Sequence, residues 1–91
     1  MKESMDSGAV IKRLKRIEGQ VRGIIKMLEE NKECEDVLIQ IGSAKSALHK
    51  AGQIVLEGHL HHCVLDGIRG GKEEETMKKL LSALEQFSRI V

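Results

Sequence analysis

The chain lacks the residues on which most β-sheet and loop-rich folds depend. Its 91 residues include no Trp, no Tyr, no Pro and a single Phe. Any core must therefore be aliphatic, and a composition without Pro that is rich in Leu, Ile, Ala, Glu and Lys favours long helices. We expect one all-α domain over residues 1–91, of a size at which oligomerisation often completes a thin core.

Long hydrophobic runs are also absent. No apolar stretch approaches the ~20 residues of a transmembrane helix, and the polar start of the chain does not resemble a signal peptide. We therefore expect a cytoplasmic protein without a membrane partner. Only two cysteines are present. In a reducing compartment, they are better suited to metal or redox chemistry than to a structural disulfide.

The apolar residues that are present predict three helices. Spacings of three and four run over residues 10–28, so a first helix should end near residues 31–32. A second pattern runs from residue 37 into the histidine-rich segment 59–65, and Gly70-Gly71 is the strongest break. A last helix is expected over about residues 73–90.

Cys34, His59 and Cys63 form the most informative set of side chains. Two thiolates and one imidazole suit a soft metal of low coordination number, such as Cu(I), better than a four-ligand zinc site. His59 and Cys63 are spaced i, i+4 and share one helix face. His62 is a candidate fourth or substitute ligand. The alternative is that the cysteines are small buried hydrophobes and the histidines belong to a solvated face.

The separation of 25 positions from Cys34 to His59 decides how such a site is assembled. In one continuous helix they would lie roughly 38 Å apart, so a three-ligand site would need an antiparallel second chain. A turn near Gly42 or Gly52 would instead allow a site within one chain. The uninterrupted apolar spacing through both glycines favours the site between two chains.

Basic residues are concentrated in the first half of the chain. Six of them lie between residues 11 and 26 against one acid, within an arc of about 180° opposite the apolar stripe. Such a face binds phosphates, although many similar faces are only solvated. No helix-turn-helix signature accompanies it, so DNA would be read through phosphate contacts and shape. The candidate DNA-binding residues are Arg13, Lys15, Arg16 and Arg22, with Lys45 and Lys50 from the second helix.

The segment from Arg13 to Ile25, Arg-Leu-Lys-Arg-Ile-Glu-Gly-Gln-Val-Arg-Gly-Ile-Ile, resembles the first-helix signature of the copper-sensitive operon repressor family of bacteria. The Cys34, His59 and Cys63 spacing resembles the ligand set of its Cu(I)-sensing branch. This resemblance implies a three-helix protomer with a long central helix, an antiparallel dimer and a tetramer that binds operator DNA. It also implies that the apo-protein represses copper efflux or handling genes, that Cu(I) releases it, and that Arg13 and Lys50 contact DNA.

Other functions fit the residues less well. Nickel and cobalt sensors of the family need a His in place of Cys63, whereas persulfide sensors keep both cysteines but lack a histidine at His59. A thiol- or persulfide-sensing repressor that uses Cys34 and Cys63 is the alternative. Copper sensors also often carry a Tyr and a Glu where this chain has Glu33 and Lys79. We do not expect an enzyme, because no third residue orients His59 and Cys63 for catalysis.

Overall fold

A computed structural model of the chain describes residues 7–58 and 65–89. Its helices are α1 (Ser7–Glu29), α2 (Cys34–Gly58), α3 (Leu65–Arg69) and α4 (Glu73–Ser88). The predicted all-α class is confirmed, and α1 and α4 begin and end within a few residues of the predicted places. The predicted continuation of the second helix over residues 59–64 lies outside the described residues. The short helix α3 is an addition to the predicted three-helix protomer. None of the described helices combines the length and apolar character needed to span a bilayer.

The connection between α1 and α2 is a compact helix C-cap. Asn31 adopts a left-handed conformation with φ of 56°. Its N–H donates to the carbonyl of Leu28 at 3.2 Å, and the N–H of Lys32 donates to the carbonyl of Met27 at 2.9 Å. This pair of bonds is the Schellman motif, which satisfies carbonyls at a helix end. It ends α1 two residues before the predicted boundary.

The chain divides into two compact units, of which Ser7–Gln53 is one. Within it, α1 and most of α2 form an antiparallel pair joined by the Schellman turn. Val10 and Ile17 of α1 are buried, as are Val37 and Ala51 of α2. All four belong to the apolar patterns that predicted these helices, so part of each predicted face forms the core of this unit.

The second unit begins at Ile54 and contains α3 and α4. A second Schellman motif joins these helices. Gly71 has φ of 75°, its N–H donates to the carbonyl of Ile68, and the N–H of Lys72 donates to the carbonyl of Gly67 at 2.8 Å. Gly67 also packs closely on Thr76, since a Cβ at Gly67 would lie 2.9 Å from Thr76 Cβ.

Much apolar surface stays uncovered in the single chain. The buried hydrophobic residues in the described ranges are the four named above and Leu80. A larger group of exposed, large hydrophobic side chains comprises Ile11, Leu14, Val21, Ile25, Leu28, Leu38, Ile39, Ile41, Leu48, Leu65, Ile68, Met77 and Leu81. An apolar surface of this extent is typical of a protein that associates with another chain.

Candidate metal centre and nucleic-acid interface

Cys34 is the first residue of α2 and carries an exposed, free thiol. The turn before it fixes this position, because the N–H of Val37 donates to the carbonyl of Glu33 and begins the helix there. A buried thiol would have agreed with the interpretation of Cys34 as a small hydrophobe. Its exposure instead leaves the sulfur available to a metal or a thiol reagent.

The helix that begins at Cys34 runs without interruption to Gly58. It passes through Gly42 and Gly52, the two positions at which a turn could have folded the site into one chain. Within the first unit alone, Cys34 and Gln53 lie about 28 Å apart along the helix axis. The described part of α2 therefore contains no turn at which the chain folds back toward Cys34.

The other two predicted ligands, His59 and Cys63, lie outside the described residues, as does His62. Within residues 7–58 and 65–89, no three His, Cys, Asp or Glu side chains come close enough together to hold a metal ion. The structure thus describes one predicted ligand, Cys34, and places it at the surface. The Cys34, His59 and Cys63 set stays a prediction.

The predicted DNA-binding residues lie on the antiparallel pair of α1 and α2. Gln20 Nε2 donates a hydrogen bond of 3.4 Å to Ser43 Oγ, which shows the register of the two helices, with residue 20 opposite residue 43. Arg13 precedes Gln20 by seven residues, and Lys50 follows Ser43 by seven. In antiparallel helices both therefore lie about 10 Å from the contact, in the same direction. All six predicted residues are exposed.

Charge is separated along this pair of helices. Residues 10–22 and 41–53, which we call the basic end, carry seven Lys or Arg and one acid. Residues 23–40, the acidic end, contain Cys34 and carry five acids against two Lys. Lys50 is about 24 Å from Cys34 along α2. This distance is about three times the Debye length in physiological salt, so the two ends are electrostatically separate.

The two positions at which copper sensors often carry other residues are both exposed. Glu33 lies in the turn before α2. Lys79 lies on α4 and forms an ion pair with Glu75, one helical turn earlier, at 3.2 Å. Both partners of this pair are mostly exposed, so it contributes little to stability. Lys79 therefore has a local partner on its own helix.

Sequence reasoning missed the Gln20–Ser43 contact and the close packing of Gly67 on Thr76. A signal for the first was present, because Gln20 follows buried Ile17 by three residues and precedes half-buried Ile24 by four. A polar residue at that spacing lies on the apolar face of the helix. No comparable signal announced α3, since five residues are too few to show a helical period.

The helical pair thus carries a free thiol at one end and a basic surface at the other. The family model described as metal-sensitive transcriptional repressor matches residues 6–86. The chain belongs to this family, which is defined by transcriptional repression and not by catalysis.

Curated relatives agree with this assignment. The chain is 41% identical over 88 residues to the copper-sensing transcriptional repressor CsoR of Bacillus subtilis, an alignment that covers 97% of this chain and 87% of the relative. It is 52% identical over 60 residues to the copper-sensing transcriptional repressor RicR of Mycobacterium tuberculosis. That second alignment covers 66% of this chain and 62% of the relative.

Solved structures share the fold. The copper-sensing repressor CsoR with Cu(I) from Geobacillus thermodenitrificans superposes with a TM-score of 0.85 and 45% identity, over 90% of this chain and 85% of that one. The nickel-responsive transcriptional regulator InrS superposes with a TM-score of 0.78 and 32% identity, over 93% and 96% of the two chains. Proteins that share this fold therefore respond to different metals, and the ligand residues must distinguish them.

Proposed function

We propose that this protein is a Cu(I)-responsive transcriptional repressor. Its apo form binds operator DNA, and Cu(I) binding releases the DNA and so derepresses genes for copper efflux or handling. The observation that carries the proposal is the exposed thiol of Cys34, which begins an unbroken helix in a chain similar to copper-sensing repressors over nearly its full length. Because such a repressor acts on operator DNA, the proposal also places the protein in the cytoplasm.

Cys34, His59 and Cys63 are the proposed ligands. Two thiolates with one imidazole match the preference of Cu(I) for soft ligands. The exposed Cys34 thiol fits this role, because no side chain has to move away before a metal can reach it. Cys63 also distinguishes this chain from the nickel sensors of the family it resembles, which need a His at that position.

The proposed site lies between two chains. Since α2 carries the chain away from Cys34, a second, antiparallel α2 is needed to bring His59 and Cys63 to it. The exposed apolar side chains of the helices support association of this kind. We propose a symmetric dimer with two sites, and a dimer of dimers as the DNA-binding form.

DNA binding is assigned to the basic end of the helical pair. Arg13 and Lys50 lie level there, and Lys15, Arg16, Arg22 and Lys45 extend the same end. Cu(I) weakens this interaction only if it binds the DNA-free arrangement of the protein more tightly than the DNA-bound one. By linkage, operator DNA must then weaken Cu(I) binding by the same factor.

X-ray absorption and metal stoichiometry test the ligand set. We expect one Cu(I) per protomer, bound by two sulfurs and one nitrogen, and loss of the nitrogen in the His59→Ala variant. The matched control is His49→Ala, which removes an exposed histidine of α2 and should leave the spectrum unchanged. An unaltered nitrogen signal in His59→Ala would reject His59 as a ligand.

Mixing two inactive variants tests whether the site is shared between chains. Cys34→Ser and Cys63→Ser should each lose tight Cu(I) binding. In a mixed dimer one site loses both cysteines, whereas the other keeps Cys34 from one chain and Cys63 from its partner. Unfolding and refolding the mixture should therefore restore one tight site per mixed dimer. A site within a single chain would never be restored by mixing.

A second candidate function is favoured by the exposure of Cys34. A thiol- or persulfide-sensing repressor of the same fold would link Cys34 of one chain to Cys63 of another through a disulfide or polysulfide. This alternative predicts a covalent dimer on non-reducing gels after treatment with sulfane sulfur. It also predicts that His59→Ala leaves the response intact, whereas the copper proposal predicts that the response is lost.

A further inference from the structure

Gln20 is a polar residue on the apolar face of α1. Ile17 and Ile24, one helical turn to either side, are buried and half-buried respectively. The Gln20 amide donates its single hydrogen bond in the described part of the chain across to Ser43, which lies at the exposed edge of α2, over 3.4 Å. Its oxygen Oε1 is shielded from solvent and accepts no hydrogen bond from the described residues. The side chain is therefore only partly satisfied where it lies.

This arrangement contributes little to stability. A buried amide oxygen without a donor loses its interaction with water and gains nothing in return, whereas an apolar side chain of similar size would avoid that loss. Polar residues on otherwise apolar helix seams have another well-attested effect, which is to specify one relative arrangement of the helices. The contact between Gln20 and Ser43 has the properties of such a specifying pair.

The contact between Gln20 and Ser43 selects one rotation of α1 against α2, and that rotation determines how the side chains of the basic end are oriented. The short Schellman turn limits how far α1 can slide along α2, but an aliphatic seam still allows α1 to rotate about its own axis. Such a rotation would change the direction in which the basic side chains of α1 project, relative to those of α2. Arg13 and Lys50 lie two turns from the contact, so they are directly affected.

We propose that Gln20 and Ser43 form a positioning pair that fixes the rotation of α1 against α2 and so aligns Arg13 with Lys50 for the DNA backbone. This inference rests on the proposed DNA-binding function. Neither residue needs to contact DNA, since their effect passes through the basic side chains. Loss of the pair should therefore lower DNA affinity without lowering the thermal stability of the protein.

Ser43 offers a matched pair of variants. Ser43→Val and Ser43→Thr have the same shape and similar helix propensity, and only Thr keeps the hydroxyl that accepts from Gln20. Both are measured as full-length apo-protein on a duplex enriched from random sequence by the wild type, at several salt concentrations. We expect Ser43→Val to bind roughly eightfold more weakly at 0.1 M salt, the effect of losing one phosphate contact. Its salt slope should fall by about one, whereas Ser43→Thr should match the wild type.

Gln20→Met provides an independent test that does not depend on the fold tolerating Val at position 43. It should raise or preserve the melting temperature, because it removes the unsatisfied amide, and should weaken DNA binding as Ser43→Val does. Equal DNA affinity and equal salt slopes for wild type, Ser43→Val and Gln20→Met would overturn the positioning role while leaving the repressor function intact. A wild-type protein that binds no DNA would overturn both.

Discussion

The separation of charge along α1 and α2 predicts that equal changes of charge have unequal effects on DNA binding. Arg13→Gln and Lys50→Gln each remove one positive charge from the basic end, whereas Lys32→Gln removes one from the acidic end. All three side chains are exposed, so the substitutions leave the core unchanged. Lys32 lies beside Cys34, and Cys34 is about 24 Å from Lys50 along α2. Lys32 is therefore about three Debye lengths from the basic end in physiological salt, and its charge should not act there.

The expected magnitudes follow from counterion release. Each phosphate contact that is lost lowers the slope of log affinity against log salt by about 0.9, and at 0.1 M salt this corresponds to roughly eightfold weaker binding. Arg13→Gln and Lys50→Gln should each lower the slope by about 0.9 for every chain that contacts the DNA. The double variant should lower the slope by about twice as much. Lys32→Gln should stay within twofold of the wild type.

Fluorescence anisotropy of a labelled duplex, titrated with apo-protein at several salt concentrations, measures these slopes. Unfolding by urea should give the same free energy for all variants, which separates DNA binding from folding. If Lys32→Gln lowered the slope as much as Arg13→Gln, binding would depend on total charge and not on the basic end. That result would refute the assignment of the DNA interface.

Three further predictions concern stability and are measured by urea or thermal unfolding. Gly67→Ala should lower the free energy of unfolding by about 1–3 kcal/mol, because the new Cβ overlaps Thr76. The matched control, Gly42→Ala, should raise it by about 0.5–1 kcal/mol, because a Cβ there meets no atom within 4 Å in the described chain. Equal effects of the two substitutions would contradict the packing of α3 on α4. Asn31→Gly should raise it by about 0.5–1 kcal/mol because φ is 56°, and Asn31→Ala should lower it. Lys72 precedes α4 without a side-chain cap, so Lys72→Asp should add about 1 kcal/mol, and no gain would show that another group already caps this helix.

The long helices could be predicted from the sequence because their apolar residues repeat with a helical period over many turns. Val10, Ile17, Val37 and Ala51 all belong to those patterns and are all buried. Helix ends were less accurate, since a single backbone conformation decides them. Asn31 ends α1 by adopting a left-handed φ, and nothing in the apolar spacing announces that.

The candidate site was only partly predictable. The ligand types and the i, i+4 spacing of His59 and Cys63 indicate a soft metal, and the exposure of Cys34 agrees with that. The relation between Arg13 and Lys50 could not be read from either helix alone. It depends on how α1 and α2 are set against each other, which the Schellman turn between them and the contact between Gln20 and Ser43 reveal.

Release of DNA by Cu(I) is the most direct test of the proposed function. The apo-protein, bound to its enriched duplex under anaerobic conditions, is titrated with Cu(I) while anisotropy is recorded, with Zn(II) as the matched control. We predict that the DNA is released as one Cu(I) per protomer is added, that Zn(II) at the same concentration does not release it, and that the Cys34→Ser complex does not respond to Cu(I). DNA that stays bound with undiminished affinity at saturating Cu(I) would contradict the account.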